Sequence, residues 1–182
     1  MSPTIALLAR RAPTLDSAGA GPKDALDFIL CEHMRHRVMC NALDALADAE
    51  RFDTSAVTRL AEFIRNDLSI HIADEEEVFF PMLRQRCLPE DEVEAALERM
   101  DNEHEADREL SAQVRVFLLA AATNGLPMAA IPGAPEALKQ FAQSQRRHMM
   151  LENAVLIPLA RRRLNAEDLA ELGARLAARR RR

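Results

Sequence analysis

The sequence predicts an all-α protein, an antiparallel four-helix bundle with a short extra C-terminal helix. Three observations carry that expectation. Ala, Leu, Glu and Arg are abundant in the 182 residues, whereas glycine is held to 5 positions and aromatics to 4%, a balance that favours helix over sheet. Apolar residues recur at three- and four-residue spacing through four long stretches separated by polar breaks. One frame occurs twice, as HIADEEEVFFP from His71 and as HMMLENAVLIP from His148, each with a glutamate four residues after the histidine and a proline ten residues after it. The length suits one ordinary domain with a single core.

Taken in order, residues 1–21 mix Pro, Thr, Ser and Gly around Ile5, Leu7 and Leu8 without sustained period, and read as a mobile N-terminal arm. The bundle is expected over 22–162, followed by a short helix and basic tail over 163–182. Pro22 suits a first helical position, and the first helix is expected to reach about Ala49. Its apolar face holds Leu26, Ile29, Leu30, Cys40 and Ala47, with His33 near the centre and His36 at the margin. Asp53, Thr54 or Ser55 can cap the second helix, which runs to about Arg86. Its inward seam is Val57, Ile64, Leu68, His71, Glu75, Val78 and Met82, and Pro81 is expected to kink it about a turn and a half beyond Glu75.

Leu88 and Pro89 mark a turn, with Pro89 to Glu92 as first-turn residues of the third helix. The seam there is Val93, Leu97, Met100, His104, Asp107, Ser111, Val114 and Leu118. A long loop from Thr123 to Gly133 carries Asn-Gly and Pro-Gly pairs. Pro135 opens the fourth helix, whose seam of Leu138, Phe141, Gln145, His148, Glu152, Val155 and Leu159 repeats the design of the second. Asn165 and Asp168 cap a fifth helix with Leu169, Leu172 and Leu176 on one face.

Four residues on a helix are about 400° of rotation and roughly 6 Å of rise, so His71 stacks on Glu75 and His148 on Glu152. Each of the four helices also places one histidine on its core face: His33, His71, His104 and His148. A core histidine is commonly satisfied by a hydrogen bond, but four of the chain's five histidines fall one per helix. A carboxylate inside an apolar seam costs several kcal/mol, on the order expected for an unpaired buried ion, unless a cation offsets it. No lysine or arginine shares the seams of Glu75 or Glu152, so divalent metal is the simplest partner. Two carboxylates that can bridge, with four imidazoles, suit two ions better than one. Glu76 and Glu77 rotate away from the seam, and Asp107 and His36 remain candidates for further or supporting contacts.

The order His, His-x3-Glu, His, His-x3-Glu, carried by Glu32-His33, by His71 and Glu75, by Glu103-His104 and by His148 and Glu152, resembles the hemerythrin-like, or HHE cation-binding, family. The resemblance spans roughly residues 22–162. It implies a di-iron centre with carboxylate and oxo or hydroxo bridges, and a ligand such as O2, NO or peroxide at an open position. Zinc and manganese suit the same donors. The family's invertebrate oxygen carriers place a second histidine one turn after the first on the third helix, where this chain has Arg108, and an aspartate on the fourth, where it has Glu152. Both departures argue against reversible oxygen carriage. Relatives in iron-sulfur cluster repair often add an N-terminal cysteine-bearing module, and no CxxC pair is present. Ferritin-like centres use Glu-x-x-His, which this chain lacks, and the absence of Tyr excludes a tyrosyl radical.

The chain therefore reads as a non-haem di-iron protein that binds or senses O2, NO or peroxide. Redox turnover of NO or peroxide is the enzymatic alternative, and an interaction module with a basic tail is the structural one. The net charge of −5 is uneven, since eight arginines follow position 160 against Glu167, Asp168 and Glu171. The acidic body argues against nucleic acid, and the Arg179 to Arg182 run is expected to be a solvated, partly frayed end. Three irregularly spaced cysteines suit a reducing cytoplasm, and no segment has the length of an apolar membrane span. A homo-oligomer or a protein partner remains compatible with the sequence.

Overall fold

The computed structural model describes residues 22–181; the expected arm at 1–21 and the terminal Arg182 lie outside the described residues. Among those described there are five helical runs and no strand. Helix α1 is Ala25–Ala47; α2 occupies 54–86; α3 is Val93–Asn124; α4 occupies 134–163; and α5 is Ala166–Arg180. None is long and apolar enough to cross a membrane.

Local chemistry sets most of the boundaries. The Asp53 side chain accepts from the Ala56 amide and so caps α2. Gly125 and Gly133 take positive φ on either side of a 3-10 turn, Met128–Ala130, in the loop before α4. Asn165 and Asp168 form the expected reciprocal capping box on α5. One boundary differs from expectation. Pro89–Asp91 is a separate 3-10 turn, Glu92 is left-handed, and α3 begins only at Val93, because the Asp91 carboxylate turns back to accept from the Leu88 amide.

Both HxxxE helices widen where their prolines approach. Glu75–Phe79 and Glu152–Leu156 are π-helical, with Phe80 N–H donating to the Glu75 carbonyl and Ile157 N–H to that of Glu152. In an α-helix, Pro81 and Pro158 would leave a carbonyl without its donor and clash with it. The wide turn moves each proline into the first turn of the next α-helical segment, where the missing N–H costs nothing. The distortion therefore begins at the glutamate itself, not beyond it as expected. Such a turn adds about one residue to the helical repeat, so the inward seam slips by one. Leu156 and Ala160 are buried in place of the expected Val155 and Leu159, and Leu83 in place of Met82. A third wide turn, Ile64–Leu68, has no proline after it, and nothing in the sequence explains it.

The described helices form two compact units. The first gathers Met34–Leu68 and His104–Arg147; the second gathers residues 22–33, Ser69–Glu103 and 148–181. Each thus combines one end of α1 and α3 with the opposite end of α2 and α4, the alternation an antiparallel bundle requires. The second unit has an apolar core that includes Phe28, Phe79, Phe80, Leu83, Leu97 and Leu156, and α5 completes it with Leu172 and Leu176. In the first unit Val57, Leu60, Phe63, Val114, Leu118 and Phe141 are buried.

Candidate metal centre

The wide turns of α2 and α4 and the first part of α1 bring four side chains of the second unit together. His33, His71, Glu75 and Glu152 are all buried and offer one ligand atom each within 4.8 Å of one another, a grouping able to hold a metal ion. His71 Nε2 lies 2.9 Å from Glu75 Oε1, and His33 Nε2 lies 3.3 Å from Glu152 Oε2 and 3.9 Å from Glu75 Oε1. His148, also buried, places Nε2 3.5 Å from Glu152 Oε2. The rings of His33 and His71 meet edge-on with centroids 5.1 Å apart. His104 is likewise buried, on the helix that carries Glu103, and opens the His104–Arg147 segment of the other unit.

Each of the three imidazoles in the second unit turns its other nitrogen outward to an acceptor. His33 Nδ1 is 2.8 Å from Asn153 Oδ1, His71 Nδ1 is 3.2 Å from Glu32 Oε2, and His148 Nδ1 is 3.5 Å from Glu103 Oε2. An amide or carboxylate oxygen can only accept, so the contacts of His33 and His71 hold the proton on Nδ1 and leave the Nε2 lone pair for the carboxylate side, while the longer His148 contact with Glu103 is an ion-pair distance. That is the tautomer a metal ligand requires. Glu152 supplies an independent sign of fit. It is fully buried, and neither carboxylate oxygen accepts a hydrogen bond. An anion held in that way is suited to a cation at its side.

The hemerythrin HHE cation-binding domain family matches residues 24–160, about three quarters of the chain. The chain belongs to the hemerythrin HHE family. Against curated proteins it has no significant match. In this HHE domain the carboxylates control the charge of the site. Burial alone would push the His71 imidazole down, but Glu75 and then Glu32 hold it well above its ordinary 6.5. His33 is pushed up to about 9 against the same burial, chiefly by Glu152 and then Glu75. The pocket favours positive charge between its carboxylates, as protons or as metal.

The HHE domain also shows what the sequence reading missed. Glu32 and Glu103 precede His33 and His104 in the chain, yet they support the histidines of α2 and α4. Burial would raise the Glu32 carboxyl, but His71 and Arg180 together hold it below the usual range, while His148 and then Arg99 bring Glu103 down to about 2. The signal was present in the two Glu-His pairs, but no helix period says which neighbour a carboxylate will reach. Other expected features take definite places. His36 is as buried as His33, packing edge-on against Phe63, and Asp107 accepts from Gln145 Nε2 at 2.7 Å. Arg179 and Arg180 are not a frayed end. They are helical and ion-paired to Asp74, Glu77 and Glu32, which takes away much of the free basic cluster that an interaction module would need. Glu77 is exposed and Glu76 half-buried, as the seam implied.

Proposed function

We propose that this HHE domain holds two iron ions on His33, His71, Glu75, His104, His148 and Glu152, and binds or senses O2, NO or peroxide there. The observation that carries the reading is Glu152, a fully buried carboxylate whose oxygens accept no hydrogen bond and toward which His33 and His148 direct Nε2. Imidazole and carboxylate donors suit iron, and kinship with the family favours it over zinc or manganese. Bound iron would supply an open coordination position and a change of oxidation state. The chain's own residues do the rest. Glu75 and Glu152 would supply carboxylate oxygens to the ions, while Asn153 and Glu32 orient the His33 and His71 imidazoles and Glu103 stands behind His148. Arg108, where oxygen carriers have a second histidine, is exposed, which supports sensing over carriage. The three free cysteines support a reducing, cytoplasmic setting.

Anaerobic loading with Fe2+ followed by elemental analysis tests this reading. The expected result is about two irons per chain, as in other di-iron bundles, and near-ultraviolet charge-transfer bands on exposure to air. With no Trp or Tyr, the protein leaves that spectral region clear. Folded protein that takes up no iron would sink the reading. NO or peroxide turnover that disappears in His71→Ala would extend it to catalysis.

A further inference from the structure

We propose that Arg180, in the last turn of α5, is a positioning residue for the metal centre, acting through Glu32 on the His71 imidazole. The proposal rests on the metal-binding reading above and names a part of the chain, outside the family match, on which the site depends.

The contacts form one continuous path within the second unit. Arg180 Nη2 donates to Glu32 Oε1 at 2.6 Å, and Glu32 Oε2 lies 3.2 Å from His71 Nδ1. His71 Nε2 in turn lies 2.9 Å from Glu75 Oε1. The guanidinium is fixed from every side. Its Nη1 donates to Asp74 Oδ2 at 2.6 Å and to the Leu176 carbonyl at 2.8 Å, and its plane lies over the Phe28 ring at 4.7 Å. Helix α5 cannot easily slide, because its capping box anchors one end and Leu172 and Leu176 are buried in the core.

The geometry calls for an arginine there. Glu32 and Asp74 are both nearly excluded from solvent, with side chains 4% and 3% exposed, so each needs a cation that brings donors of its own. A forked guanidinium presents nitrogens to both in fixed directions, which the flexible ammonium of a lysine does less well. With Glu32 held at one oxygen, the other is aimed at His71 Nδ1 and sets the direction of Nε2. The matching support on α4 is built differently. Glu103, behind His148, is backed by Arg99 from one turn earlier on its own helix, and that arginine is 60% exposed. Water can replace Arg99. Nothing comparable stands in for Arg180, whose side chain is only 19% exposed.

The test is Co2+ binding to the full chain, read by its ligand-field bands and by a binding isotherm, with circular dichroism melting as the fold control. Arg180→Ala is expected to bind about 10- to 100-fold more weakly, the usual cost of losing an outer partner of a ligand, and to shift the bands. Arg180→Lys should fall between that variant and the wild type. Arg179→Ala removes the same charge one residue away, from contacts with Asp74 and Glu77 only, and should change affinity by about threefold or less. If Arg180 acts through Glu32, then Glu32→Gln with Arg180→Ala binds no more weakly than Glu32→Gln alone. Arg180→Ala binding like wild type, or additive losses in the double variant, overturns the proposal. Should Arg180→Ala melt too early to assay, the same cycle run with Arg180→Lys in the wild-type and Glu32→Gln backgrounds decides it. Wild-type protein that binds no Co2+ removes the metal reading itself, an outcome distinct from wild-type binding that is indifferent to Arg180.

Discussion

A histidine ligand is defined as much by the nitrogen that faces away from the metal as by the one that faces it. In this domain Asn153 and Glu32 fix the Nδ1 atoms of His33 and His71, Glu103 stands 3.5 Å behind that of His148, and the three Nε2 atoms face the buried carboxylates. Glu152 is the fully buried carboxylate whose oxygens accept no hydrogen bond. At a metal concentration about 100 times Kd, binding should stabilise the wild type by about 2.7 kcal/mol and raise its melting temperature by about 5–10 °C. In Glu152→Gln the rise should shrink to about 1–2 °C, and differential scanning calorimetry with and without metal measures both. An equal shift in the two proteins would remove Glu152 from the ligand set. At this scale the sequence was informative about which side chains point inward, because helical period alone decides that. It was silent on Glu32 and Asn153, whose roles depend on a neighbouring helix.

At the scale of elements, the repeated His-x3-Glu-x5-Pro frame specifies a wide turn as well as a chelating pair. The proline makes a regular α-helix unfavourable six residues after the glutamate, and the π turn is the local solution. Its consequence is the one-residue slip of the core seam. Val155 stands 41% exposed where period three-four puts it inside, and Leu156 is fully buried. Val155→Lys should therefore change stability by no more than about 0.5 kcal/mol, as at an ordinary surface position. Leu156→Ala should cost about 2–5 kcal/mol. Urea denaturation of the two variants checks the register, and the reverse order of costs would contradict it. The expected seams of α1 and α3 keep their register, with Leu30, Val93 and Ser111 half-buried, whereas those of α2 and α4 depart from it only beyond the glutamates. Pattern reading assumes one period along a helix, and the prolines break that assumption.

For the described molecule as a whole, five of the arginines that follow position 160 act as ionic fasteners within the second unit. Arg161 pairs with Asp24 and Asp27, Arg162 and Arg163 with Asp91, and Arg179 and Arg180 with Asp74, while Arg86 on α2 reaches Asp168 on α5. Composition showed the charge but not its partners, because ion pairs between segments 71 or more residues apart leave no local signature. Asp91 makes the pH consequence definite. Arg163, aided by the Leu88 amide and Arg162, holds its carboxyl well below the ordinary 3.8. A carboxyl depressed in the folded state stabilises fully above its unfolded value, and that stabilisation disappears as pH falls from about 4 toward the folded value. Asp91→Asn should lower the melting temperature at pH 7, and that difference should narrow steadily below about pH 4 and vanish only as pH approaches the folded value, as thermal melts across this range would show. A constant difference at every pH would point to packing instead of charge.

The Glu32-His33 pair joins the two kinds of support on one helix. Because both residues sit on consecutive positions of α1, a small rotation of that helix about its axis displaces the His33 imidazole and the carboxylate behind His71 together. A ligand that pulls on one histidine would then be felt at the other through the turning of a backbone, with no side chain changing partner.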